Sequence, residues 1–334
     1  MNAPLLHPLT QVDRVPLPRA AWYLGCASHL LQDKPVGIRL FSEPIVLWRD
    51  GEGRAQAVYD RCPHRGVALS LGQVEDGAIA CAYHGWRFGG DGGCRLIPSL
   101  TDDRAVPPGA RLRSYPCEEQ DSQIWVWTGE EEPTEPPRPI PGFAETCWLQ
   151  GAVDLACEPI LPIENNLDIC HASFTHPGQH PQWFMAQAMG LQERAHRLRQ
   201  DAAGMTVDAG PVTLRFDLPD RVTVAMEAPR PFCLVLHHVP TAPGRCRQHW
   251  LMASGAASEE RPHEVRWVEA EPEILAQDRV VMESAQLAYA GEGGGFEISV
   301  AADATGLMAR RLLRLAAAGT PIEPAPERVI RART

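Results

Sequence analysis

The sequence predicts a small all-β domain followed by an α+β domain, and three observations carry that division. Residues 22–127 are short β-branched or aromatic runs separated by Gly, Asp and Pro turns. Residues 129–143, "GEEEPTEPPRPIPGF", hold five Pro and four Glu in fifteen positions, which excludes helix and central strand and favours an extended connection. Beyond it, strand-like runs alternate with helical spacing, as in a sheet that carries helices. The expected boundaries are 16–130 for the first domain, 131–143 for a proline-rich linker and 144–334 for the second domain.

In the first domain the strand-bearing runs are "GIRLFSEPIVLWRD", "RAQAVYDRC", "GAIACAYHGWRF" and "SQIWVWTG". After the linker, "PILPIENNLDICHASFTH" (159–176) has helix-compatible spacing. Strand patterns follow in "MTVDAGPVTLRFDL", "RVTVAMEA", "FCLVLHHVP", "CRQHWLMASG" and "HEVRWVEA". Two helical segments, "PEILAQDRVVMESAQLAYA" and "TGLMARRLLRLAAAG", are expected to close the chain. There is no internal repeat.

The 334 residues suffice for two domains with separate cores. A formal net charge of −11 argues against a nucleic-acid partner, which needs a basic face. No basic-then-apolar leader and no run of eighteen apolar residues is present, so no signal peptide and no membrane span are expected. The ten Cys are scattered rather than densely spaced, which suits reduced thiols in the cytoplasm.

Cys62 and Cys81 stand apart, because each has a His close by. Residues 62–84, "CPHRGVALSLGQVEDGAIACAYH", give Cys-x-His and, after a gap of sixteen residues, Cys-x-x-His. Two thiolates and two imidazoles can bind one zinc tetrahedrally, or a 2Fe-2S cluster with Cys on one iron and His on the other. Zinc fingers place the Cys pair first and the His pair after it. Here each segment supplies one of each, which suits two hairpin loops reaching over a two-iron cluster.

"CPHRG" and "CAYHGWRF", followed by "GGCRLIPS", closely resemble the two loops of Rieske iron–sulfur domains. The resemblance implies that Cys62 and Cys81 ligate one iron and that His64 and His84 ligate the other. It leads to the expectation that Trp86 and Arg65 shield and pin the cluster, and that Arg87 could meet an acidic ferredoxin. Imidazole in place of thiolate raises the cluster's potential and suits it to relaying electrons.

In the second domain "ENNLDICHASFTH" contains Asn165, Asp168, His171 and His176. Asp168 and His171 share a helix face, but His171 and His176 are five positions apart, about 140° on a regular helix. The two imidazoles can converge only if the helix distorts or ends between them. Two His with one carboxylate form the ligand set of non-haem Fe(II) oxygenases.

Together the two motifs resemble the catalytic subunits of Rieske non-haem iron oxygenases, in particular the shorter group that forms homotrimers alone, and the resemblance covers nearly the whole chain. It implies a helix-grip-like second domain in which His171 and His176 bind a mononuclear iron. Asp168 would link the two centres and orient His171, and Asn165 matches a position near the iron. The third ligand is expected on a late helix at Asp278, within "AQDRVVMESAQ", with Asp303 and Glu283 as fallbacks.

The implied reaction is O₂-dependent hydroxylation, or O- or N-demethylation, of a small aromatic or heterocyclic compound. Cis-dihydroxylation by a dioxygenase is the alternative within the class, and a bare Rieske electron carrier the alternative outside it. No Gly-x-Gly-x-x-Gly turn lies in a strand–turn–helix context. NAD(P)H would therefore act through a ferredoxin or flavin reductase. Candidate pocket residues are Trp183, Phe184, Met185, Trp250, Met252, Leu287 and Phe296. His237 and His238 fall on opposite faces of a strand; they read as satisfied structural imidazoles, with the alternative that one faces the cavity and hydrogen-bonds substrate. Cys170 reads as packing.

Overall fold

The computed structural model describes residues 15–226, 232–290 and 297–334; Phe296 lies outside them. Residues 19–143 form one compact unit, and residues 144–334 with the stretch ending at Pro18 form the other.

The first unit holds eleven short strands: β1 (Trp22–Ala27), β2 (Val36–Leu40), β3 (Glu43–Arg49), β4 (Ala55–Tyr59), β5 (Gln73–Glu75), β6 (Ala78–Ala80), β7 (Arg87–Phe88), β8 (Cys94–Leu96), β9 (Ser114–Tyr115), β10 (Cys117–Gln120) and β11 (Gln123–Trp127). They make three sheets, ordered β1-β11-β10, β2-β3-β4-β9 and β5-β6-β7-β8. Three hairpins turn on residue pairs with positive φ: Phe41–Ser42 (49°, 70°), Asp76–Gly77 (51°, 75°) and Asp121–Ser122 (54°, 57°). Such pairs match the strand twist, and Asp-Gly is their usual sequence. "GIRLFSEPIVLWRD" therefore folds back on itself at Phe41–Ser42, a turn its residue types do not announce.

Residues 131–143 lie within this unit, packed on it. A proline-rich chain has few N–H groups of its own, so its carbonyls accept from indoles: Trp127 Nε1 donates to the Glu131 carbonyl at 2.6 Å and Trp22 Nε1 to that of Glu135 at 2.8 Å. Ile140, itself buried, donates its N–H to Asp121 Oδ2 at 2.6 Å.

The second unit is a nine-stranded sheet with helices. Its strands are β12 (Thr146–Leu155), β13 (Glu193–Asp201), β14 (Gly204–Asp208), β15 (Val212–Asp217), β16 (Arg221–Met226), β17 (Phe232–Ala242), β18 (Arg245–Ala256), β19 (Val265–Trp267) and β20 (Ala325–Arg333). The order is β19-β12-β18-β17-β16-β15-β14-β13-β20, antiparallel except for β12 with β19. The helices are α1 (Ile160–Leu167), α2 (Ala172–Thr175), α3 (Pro181–Met189), α4 (Glu273–Ala290) and α5 (Ala304–Ala317).

Leu236 of β17 and Trp250 of β18 pack with Leu275 of α4, which ties α4 to the sheet. A Cβ at Gly151, opposite Trp250, would sit 2.5 Å from the indole, so only glycine fits there. The chain closes with a strand, β20, and not with the helix expected; β20 pairs with β13 at the sheet's rim. Sequence reading also passed over α3 and β13.

Buried Arg310 of α5 joins Glu164 of α1 to Glu297. Its Nη2 lies 2.7 Å from Glu164 and 2.8 Å from Glu297, and Nη1 lies 2.6 Å from Glu297. Arg310→Met would leave two carboxylates facing each other without a cation. It should cost about 4 kcal/mol of stability, read as a lower denaturation midpoint at unchanged slope.

Candidate metal centres

The two Cys/His loops of the first unit have the same backbone design. Cys62 N–H donates to the Val67 carbonyl and Cys81 N–H to the Trp86 carbonyl, at 2.9 and 2.8 Å. Gly66 and Gly85 close the loops back onto Cys62 O and Cys81 O with φ of 73° and 68°, a conformation costly for other residues. Both Cys sit in the core cluster of Val46, Trp48, Leu69, Ile79 and Phe88. Their thiols face each other, and burial together with Cys81 pushes the Cys62 thiol up to about 11.

The imidazoles of His64 and His84, from the same two loops, lie with ring centroids 4.5 Å apart. Trp86 stacks on His64 at 4.8 Å and 6°. His64 Nδ1 and Trp86 Nε1 are buried and have no hydrogen-bond partner among the described residues. Two facing thiols, two adjacent imidazoles and an orphaned ring nitrogen fit a 2Fe-2S cluster. Cys62→Ser should abolish the cluster's visible absorption, since a serine oxygen replaces a thiolate donor; an undiminished spectrum would remove Cys62 from the ligand set. Arg65 is exposed. Arg87 is already paired with Glu75 and Asp76, so it is not an open docking cation.

In the second unit the stretch expected as one helix breaks at Asp168, whose φ and ψ of −78° and 121° end α1. The Asp168 carboxylate turns onto the next segment: its Oδ1 accepts from the N–H groups of Cys170 (2.6 Å) and His171 (3.4 Å). His171 then begins α2, and His176 leaves it with φ −114° and ψ 64°. The helix ends at the second His, which resolves the awkward spacing.

Both rings are oriented through Nδ1. The main-chain carbonyl of Asp168 accepts from His171 at 2.8 Å, and Gln277 Oε1 from His176 at 2.9 Å. The Asp168 side chain was expected to orient His171; its backbone does so instead. Each Nε2 is left facing Asp278 of α4, at 3.7 Å from His171 and 3.3 Å from His176 to Oδ1. The three donor atoms lie within 4.8 Å of one another.

Asp278 Oδ1 is buried and makes no hydrogen bond among the described residues. Burial pushes the Asp278 carboxyl up, and the imidazoles of His171 and His176 pull against it. Asn165 lies beside that carboxylate, its Nδ2 buried without a partner of normal geometry. Two neutral nitrogens and one orphaned carboxylate oxygen are the donor set of a divalent metal with open positions, and fit Fe(II).

The fallback carboxylates are engaged elsewhere: Glu283 accepts from Ala156 N at 2.9 Å and Asp303 from Val300 N at 2.6 Å. Sequence reading missed Gln277 and His180. His180 lies 5.9 Å from His176, caps α3 through Nδ1, and is pushed down to about 4 by burial and the neighbouring imidazoles.

Of the pocket candidates, Trp250 is core and Met252 packs against it. Trp183, Phe184 and Met185 lie on α3, where Phe184 is exposed, as is Leu287 on α4. His237 is buried with its Nδ1 3.2 Å from Asp220 Oδ1. His238 is fully buried with neither nitrogen bonded among the described residues, and burial pushes it down to about 3. Cys170 is half-buried, its thiol pushed up to about 11 by burial and Asp168.

Comparison with known proteins supplies the context for these centres. Residues 21–116 match the Rieske [2Fe-2S] domain, and residues 155–319 match the vanillate O-demethylase oxygenase C-terminal domain. The chain is 42% identical to chlorophyllide a oxygenase of Chlamydomonas reinhardtii over 164 residues, 47% of this chain and 24% of that protein. It is 36% identical to the vanillate O-demethylase oxygenase subunit of Pseudomonas sp. (strain HR199 / DSM 7063) over 169 residues, 48% of this chain and 45% of that one. The matches thus span less than half the length of these relatives. Dicamba monooxygenase bound to dicamba superposes with a TM-score of 0.70 at 21% identity, over 90% of this chain and 98% of that one. Pseudomonas putida CBB5 NdmA with caffeine gives 0.71 at 19% identity, over 92% and 96%. The fold is shared with both. With a Rieske domain joined to a vanillate O-demethylase-type oxygenase domain, the chain belongs to the Rieske non-haem iron oxygenases.

Proposed function

We propose that this protein is a terminal oxygenase that demethylates, or hydroxylates, a small aromatic or heterocyclic compound with O₂ and electrons from a separate reductase. The observation that carries the reading is the convergence of His171 Nε2 and His176 Nε2 on the unpartnered Oδ1 of Asp278. Relatives point the same way: two are O-demethylase oxygenase components, for vanillate and for dicamba, and one solved neighbour holds caffeine.

Cys62, Cys81, His64 and His84 would hold the 2Fe-2S cluster, and His171, His176 and Asp278 one Fe(II). The cluster supplies single electrons, and the mononuclear iron supplies O₂ activation. Asp168, half-buried and with its Oδ1 accepting from the N–H groups of Cys170 and His171, would link the two centres. Asn165 sets the polarity beside Asp278. In a demethylation an aryl methyl ether, O₂, two electrons and two protons give the phenol, formaldehyde and water. Electrons originate from NAD(P)H through a ferredoxin or flavin reductase. A head-to-tail homotrimer would bring one subunit's cluster to the neighbour's iron and place Asp168 at the junction. No helix among the described residues is long and apolar enough to cross a membrane; a cytoplasmic location belongs to this reading.

The test is turnover with a surrogate reductase against methoxylated and N-methylated aromatics, with formaldehyde as the readout and iron counted in parallel. Formaldehyde matched by O₂ uptake, with about three irons per chain, supports the proposal. About two irons and no product with any compound would reduce the protein to an electron carrier.

A further inference from the structure

Gln277 and Asp278 are consecutive on α4, and both reach His176. Gln277 Oε1 lies 2.9 Å from Nδ1, and Asp278 Oδ1 lies 3.3 Å from Nε2. The imidazole thus meets adjacent residues of one helix at its two nitrogens, hydrogen-bonded at Nδ1 by Gln277 and facing the unpartnered Asp278 Oδ1 at Nε2. His171 lacks such an arrangement, since its Nδ1 is bonded to a main-chain carbonyl from its own turn. An amide oxygen only accepts, so the Gln277 bond requires the proton of His176 on Nδ1 and leaves the lone pair on Nε2. The amide also adds no charge. The donor set keeps a single negative charge, from Asp278, where a carboxylate in place of Gln277 would add a second beside a buried ring.

We infer that Gln277 is a positioning residue: it fixes the tautomer and the angle of His176, and with Asp278 makes α4 the element that sets metal affinity. A ring that carries its proton on Nε2 has no lone pair beside Asp278, and a ring free to rotate offers its lone pair there only part of the time. The inference rests on the metal reading above.

The test compares Gln277→Leu, which keeps the bulk and deletes the acceptor, with Gln277→Glu, which keeps the acceptor. Both are made in the full chain carrying its Rieske cluster. Anaerobic Fe(II) titration should show Gln277→Leu binding about 10- to 100-fold more weakly than wild type, and Gln277→Glu binding at least as tightly as wild type. Cluster absorbance should be unchanged in both, and both should still unfold in one cooperative transition without added iron. In the protein loaded with Zn(II), a slowly exchanging Nδ1–H signal of His176 should be present in wild type, lost in Gln277→Leu and restored in Gln277→Glu. Wild-type affinity in Gln277→Leu, or equal weakening in both variants, overturns the inference while leaving the metal site intact. A wild-type protein that takes up no third iron overturns the site reading, and this inference with it.

Discussion

Asp278→Ala should keep the visible colour of the Rieske cluster, hold about two irons per chain instead of about three, and turn over at background. Asp278 is the one anionic donor in the group. His171 and His176 are neutral when they bind a metal, so the alanine variant would ask two imidazoles alone to hold a divalent cation. The loss in affinity should exceed the roughly 100-fold that marks removal of a supporting partner, because here a ligand itself is removed. Asp278→Asn separates charge from shape: the amide has nearly the same size and still presents an oxygen, so weak binding by that variant would measure what the charge contributes. The fold should survive both changes, since the unpartnered Oδ1 takes no part in packing and Leu275, one turn earlier on α4, ties the helix to the sheet. Three irons per chain in Asp278→Ala would move the third ligand elsewhere. Glu283 and Asp303 are poor replacements, because each is committed to a main-chain N–H.

Asp168→Asn is expected to retain both metal centres and yet lose turnover by about 100-fold. The structure explains why the metals should stay. Asparagine offers an Oδ1 in the same place to the N–H groups of Cys170 and His171, so the break between α1 and α2 is preserved. The ring of His171 is oriented by the main-chain carbonyl of Asp168, which the substitution leaves in place. What the substitution removes is the negative charge at the position where, in the proposed assembly, the electron arrives. Stopped-flow reduction of the cluster should be normal, and its reoxidation in the presence of substrate and O₂ slow. Wild-type product formation by this variant would leave Asp168 a structural cap and nothing more.

Those predictions fall on residues that the sequence itself exposed, for a physical reason. Cys62, His64, Cys81, His84, His171 and His176 are donor atoms at loop or helix-terminal positions, and their order limits the metals they can hold. The distortion between His171 and His176 was legible as well, because five-residue spacing cannot converge on a regular helix. Asp278 was legible because "AQDRVVMESAQ" resembles the late-helix segment that carries the family's third ligand. Gln277 was not, since an amide that accepts one hydrogen bond leaves no spacing pattern; only the fold brings residues 176 and 277 together. The hairpin at Phe41–Ser42 was hidden because its turn has neither Gly nor Asn. Strand β20 was missed for a different reason. Only Ile330 and Ala332 of its nine residues are buried, too few to reveal an alternation against four arginine and glutamate neighbours.

That same strand bears on how the protein avoids sticking to itself. A sheet rim offers a row of backbone donors and acceptors to any extended chain, which is how strand-added aggregates begin. The β20 rim is lined by exposed Glu327, Arg328, Arg331 and Arg333. A second copy adding there would strip these charged side chains of water. At the opposite rim β19 has three residues, too short to template a long partner. Both ends of the nine-stranded sheet are thereby blunted against fibrous growth, and self-recognition is left to other surfaces of the molecule.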